Sequence, residues 1–110
     1  MIQCDKIKKE IITLLKNQDI YKIFMFGSYA VGKVHNDSDV DLLVILNKTG
    51  VSNNYKTLLE NKRTISKPLH ELRKSVPIDL LVYTKDEWKI LKDSKSSFIK
   101  HIEKESVSLL

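Results

Sequence analysis

At 110 residues the chain has room for one domain with a modest core, and 1–110 is read as that single domain. Its 42% hydrophobic and 30% charged content is that of a water-soluble globular protein; no apolar stretch approaches membrane length, no N-terminal apolar signal core is visible, and the lone Cys4 cannot form an internal disulfide, so a cytoplasmic location without a membrane partner is expected. The formal charge of +5 comes from lysines in 6–16, 56–74 and 85–104, read as solvated helix faces able to attract an acidic partner; with no RNA-binding motif beside them, nucleic acid is not expected as the main partner.

In chain order, Cys4, Ile7, Ile11, Leu14 and Leu15 recur at helical spacing, which predicts a first helix over 5–17 with Asp5 as N-cap. Residues 21–26 (YKIFMF) read as a buried strand. Gly27-Ser28 is a turn signal, and 28–31 has the length of one helical turn. A polar loop with Gly32, Asn36, Asp37 and Ser38 leads to a second strand, 42–46 (LLVIL), with Asp39 and Asp41 at its mouth. After a turn-rich connection over 47–54, Tyr55, Leu58, Leu59, Ile65, Leu69 and Leu72 predict a long helix over 54–74, kinked or split at Pro68. Residues 76–83 (VPIDLLVY) form a third strand containing Asp79. Thr84 to Glu87 fits a capping box ahead of a helix with Trp88 and Leu91 inward. Residues 93–97 read as a loop, Phe98, Ile99 and Ile102 as a short last helix, and 107–110 as a fourth, edge strand. Strands alternating with helices give an α/β class.

The chemistry gathers at 27–46. Side chains at i and i+2 of a strand share a face, so Asp39 and Asp41 point together while Val40 points into the core. Two carboxylates so placed repel by on the order of 3 kcal/mol at an effective dielectric of about 20. No Lys or Arg at Val40 or Leu42 relieves them, and a hard divalent cation, Mg²⁺ or Mn²⁺, is the simplest relief. Gly27 lets backbone approach a ligand closely, and the N–H groups of the turn with the Ser28 hydroxyl suit a phosphate. Asp79, among Ile78, Leu80 and Leu81, is costly to bury unless paired or metal-bound; the other reading is an edge-strand acid facing solvent. His35 lies in the loop before the acid pair, within reach of a nucleotide bound there.

Gly27-Ser28, ten residues, Asp39-x-Asp41 and a later strand Asp79 together resemble the DNA polymerase beta-like nucleotidyltransferase superfamily, and within it the minimal nucleotidyltransferases, the MNT type. The resemblance implies an α/β (α+β) fold, a mixed sheet of three to five strands flanked by helices, with the acids at one edge of its exposed face. It implies that Asp39, Asp41 and Asp79 are catalytic and hold two Mg²⁺ ions, with Mn²⁺ as a substitute. It also implies that Gly27 and Ser28 hold the phosphates of ATP or another nucleoside triphosphate. The implied product is an AMP-modified hydroxyl, a tyrosine of a cognate HEPN toxin, which makes the chain an antitoxin in a homo- or hetero-oligomer. Two alternatives stand beside it: an antitoxin that neutralises by binding alone, and an aminoglycoside-type small-molecule transferase. Many members carry Arg at one or both of the positions held here by Tyr29 and Val31, which removes charge near the phosphates.

Overall fold

A computed structural model describes residues 2–31, 39–51 and 54–110, and of residues 2–4, 28 and 31 the backbone alone. Helix α1 (Ile2–Leu15) leads into β1 (Ile20–Phe26). It begins ahead of the expected N-cap: Asp5 lies inside the first turn, where a carboxylate suits the helix dipole. Ile7, Ile11 and Leu15 are buried, whereas Leu14 falls off the stripe and is exposed. The one-turn helix α2 (Ser28–Val31) follows Gly27 as expected. Strand β2 (Val40–Leu46) comes next.

The helix expected over 54–74 is two helices, α3 (Tyr55–Ser66) and α4 (His70–Ser75). Pro68 falls in the break between them, where its missing N–H harms no helical bond. Asn54 caps α3 by accepting the Thr57 N–H at 2.9 Å. Tyr55, Leu58 and Leu59, expected inward, are exposed. The inward face of α3 instead runs through Asn61 and Ile65. Asn61 is buried and accepts a hydrogen bond from Lys48 Nζ at 2.9 Å, so a polar residue holds a core-facing position that a hydropathy pattern passes over.

Strand β3 (Ile78–Thr84) ends in the predicted capping box. The Thr84 hydroxyl accepts the Glu87 N–H at 3.2 Å, and the Glu87 carboxylate accepts the Thr84 N–H at 2.8 Å. Helix α5 (Lys85–Ser94) then occupies part of the expected loop, and only Lys95, at φ 52°, and Ser96 separate it from α6 (Ser97–Glu105). Strand β4 (Val107–Ser108) is the predicted edge strand.

The sheet order is β3-β2-β1-β4, parallel between β2 and β3 and antiparallel elsewhere. Alternation sends Leu42, Val44 and Leu46 of β2 to one face, against Ile7, Ile11 and Leu15 of α1 and Ile65 of α3. Leu43 and Ile45 go to the other face, against Trp88 of α5 and Ile99 and Ile102 of α6. Both faces therefore carry helices, which corrects the expected exposed face: the acids lie at the uncovered end of a face that α5 and α6 otherwise fill. Among the described residues no helix is long and apolar enough to cross a membrane.

Candidate active site

Register brings the acids together. Phe26, the last residue of β1, pairs with Asp41, and Asp41 pairs across the parallel ladder with Asp79. Cross-strand partners share a face, so Asp41 and Asp79 project together beyond Leu43 and Leu81 toward the α6 side. The ladder is pinned at this end by the Val40 N–H donating to the Pro77 carbonyl at 2.9 Å. Asp39, one residue ahead of β2, shares the face by alternation.

Asp79 is exposed, as the edge-strand reading has it. It is the second residue of an edge strand, so one flank meets solvent while Ile78 and Leu80 turn to the opposite core. Asp41 is half-buried. Burial raises its carboxyl above the ordinary value, and the charges of Asp79 and then Asp39 push it the same way. Asp41 thus senses the charge of both other carboxylates.

Gly27 closes the other side of Asp41. Its φ of +77° is left-handed, and a Cβ placed on it would run into Asp41 Oδ2. Glycine is required here twice over, by backbone conformation and by close approach. The Ser28 backbone opens α2, while its side chain, like all of His35, lies outside the described residues. Tyr29 is 4% exposed and packs in the core beneath the first face. The side chain of Val31 lies outside the described residues.

A cleft of about 370 Å³ opens beside the acids, lined by Asp41 and Asp79, by Phe26 and Phe98, and by Lys62 of α3 and Arg73 of α4. The two cations went unread in the sequence because they sit in a basic run that resembles an ordinary solvated helix face. Their signal is topological: both precede an edge strand whose second residue is an acid. A larger hollow of about 690 Å³ along α1 is bounded by Asp5, Lys6, Lys9 and Glu10, with no convergence of like charges, and the chemistry lies with the smaller cleft.

The donor set fits a hard divalent cation, since it is all carboxylate oxygen and its mutual repulsion is relieved by positive charge. Among the described residues no three such side chains are already gathered tightly enough to ligate one ion. Asp39 and Asp79 are exposed.

Topology sets the class: a mixed sheet in this order, entered from a leading helix and flanked by helices, is the nucleotidyltransferase fold. A nucleotidyltransferase domain model matches residues 4–106, and the chain belongs to that family of enzymes. It is 30% identical over 105 residues to a Methanocaldococcus jannaschii protein assigned as a protein adenylyltransferase, covering 94% of this chain and 92% of that one. A toxin–antitoxin crystallised with AMP-PNP shares the fold at a TM-score of 0.58 and 23% identity, covering 94% of this chain and 72% of that one. A Sulfolobus solfataricus protein assigned as a nucleotidyltransferase does so at 0.56 and 15% identity, covering 96% and 77%.

Proposed function

We propose that this nucleotidyltransferase moves AMP from ATP to a hydroxyl of a protein, a tyrosine of a HEPN-type toxin, and acts as the antitoxin. The observation that carries nucleotidyl transfer is the cross-strand pair Asp41–Asp79 with Gly27 set against it. The assigned activity of the Methanocaldococcus jannaschii relative supports a protein acceptor, and the toxin–antitoxin neighbour with AMP-PNP supports ATP and a toxin partner. The HEPN identity of the toxin and the tyrosine rest on the family resemblance.

Asp39, Asp41 and Asp79 would hold Mg²⁺, or Mn²⁺ in its place, as a pair of ions. Bound there, the metal supplies positive charge to the triphosphate and acidifies the acceptor hydroxyl. The chain's own residues do the rest. The Gly27 backbone and Ser28 hold the β- and γ-phosphates. The acceptor oxygen bonds to the α-phosphorus as the bond from that phosphorus to the bridging oxygen breaks. Pyrophosphate leaves, and the Asp79 carboxylate receives the hydroxyl proton. The half-buried position of Asp41 fixes the centre of the group, while the exposed Asp79 faces an incoming acceptor.

The test is transfer of label from α-³²P-ATP to the partner toxin, with and without Mg²⁺. Asp79→Asn should lower the rate by about 10²- to 10⁴-fold. Asp39→Asn with Asp41→Asn should abolish both labelling and protection against the toxin. Protection that survives this double change without labelling would establish neutralisation by contact alone.

A further inference from the structure

The order β3-β2-β1 places Gly27 and the outer edge of β3 on opposite sides of Asp41. In-line displacement also has two sides: the leaving pyrophosphate and the attacking oxygen lie opposite each other across the α-phosphorus. With the phosphates at Gly27, the attacking group arrives from the β3 side. That is where the cleft of about 370 Å³ opens, and where Lys62 and Arg73 converge from two different helices. Both are exposed, and among the described residues neither takes part in an ion pair. Phe26 and Phe98, packed edge to face at 6.1 Å between centroids, give the same cleft an aromatic wall.

We infer that this cleft is the acceptor subsite, and that Lys62 and Arg73 select a hydroxyl-bearing side chain flanked by acidic residues of a protein. The inference rests on the nucleotidyl-transfer reading above and adds to it the chemistry of the acceptor. The aromatic wall takes an acceptor ring, and the two cations take carboxylates on either side of it. A second feature favours a protein over a polynucleotide. Tyr55, Leu58 and Leu59, at 73%, 42% and 39% exposure, lie on α3 at the spacings that place them in one stripe with Lys62. An exposed apolar stripe leading into a charged cleft suits a folded partner, whereas polynucleotide affinity rests chiefly on cations against phosphates. The reaction is that already written: the acceptor oxygen gains the α-phosphorus, pyrophosphate leaves, and Asp79 takes the proton.

The experiment uses the full chain, α-³²P-ATP with Mg²⁺, and three synthetic peptides with one tyrosine flanked by glutamate, serine or lysine. Peptide binding is measured in parallel by fluorescence anisotropy with AMP-PNP present. The glutamate peptide should be labelled with a kcat/KM about tenfold above the serine peptide, the difference lying in KM. Lys62→Glu with Arg73→Glu, both at exposed positions, should turn the preference toward the lysine peptide and leave the affinity for ATP alone unchanged. An unchanged preference in that variant overturns the inference, as does weakened ATP binding, which would assign the cations to the triphosphate. A single-stranded oligonucleotide that displaces the glutamate peptide also overturns it. Charge-dependent binding without transfer to any peptide keeps the subsite and removes the protein-acceptor reading; transfer with equal binding of all three peptides does the reverse.

Discussion

The two faces of β2 do opposite work. On one, Val40, Leu42, Val44 and Leu46 are buried against α1 and α3 and anchor the domain. On the other, Leu43 and Ile45 pack beneath α5 and α6, but the same row begins with Asp41, a half-buried carboxylate whose neighbours are other carboxylates. Adjacent residues of one strand thus carry opposite energetic signs. A period of two lets one element be rigid through alternate side chains and hold unrelieved charge with the others, so the acids sit on a frame that does not yield to their repulsion.

The largest expected effect is on the anchoring face. Leu42 is fully buried, and Leu42→Ala should lower unfolding free energy by about 2–5 kcal/mol, a large share of the stability of a domain this size. Urea unfolding would show the midpoint fall with little change in slope. A loss well under 1 kcal/mol would mean that this face is not where the domain is anchored.

How much of this division the sequence shows depends on range. The strands and the capping box at Thr84 are local patterns, and the structure has them within a residue or two of the positions read. For Asp79 the sequence left two readings open, an acid paired within an apolar strand and an edge-strand acid facing solvent; the sheet order, which no local pattern gives, puts it at the edge. The phase of α3 was misread because its core position is Asn61, satisfied by Lys48 from a distant loop. Lys62 and Arg73 were invisible for a related reason: their neighbours are the acids across a sheet edge, and nothing within a turn of either cation marks them.

Gly27 joins the two faces, and a change there gives an intermediate effect. Gly27→Ala must hold φ +77° with a Cβ, which costs about 1–2 kcal/mol, and that Cβ meets the Asp41 carboxylate. Stability should fall by that amount, and nucleotide transfer should fall further because Asp41 is displaced. Asp41→Gly in the same chain should recover part of the lost stability and none of the transfer. Wild-type transfer by Gly27→Ala alone would detach Gly27 from the chemistry.

The smallest effect has the opposite sign and is the sharpest test of the comparison. Burial first, then Asp79 and Asp39, raise the Asp41 carboxyl above its ordinary value of 3.8. The folded chain therefore holds that proton more tightly than the unfolded chain. The stability this confers is fully present below the unfolded value and is lost as pH rises through the higher, folded one. At neutral pH ionised Asp41 works against folding, so Asp41→Asn should stabilise, by a margin that solvent screening keeps small. The gain should shrink as pH falls through the folded value and vanish below 3.8, where the carboxyl is neutral in both states. Added Mg²⁺ should stabilise the wild-type chain more than Asp41→Asn at neutral pH, because binding to the folded state alone raises stability by mass action. If Asp41→Asn is instead less stable than the wild-type chain at neutral pH, the carboxylate is held by favourable partners and the contrast between the faces of β2 collapses.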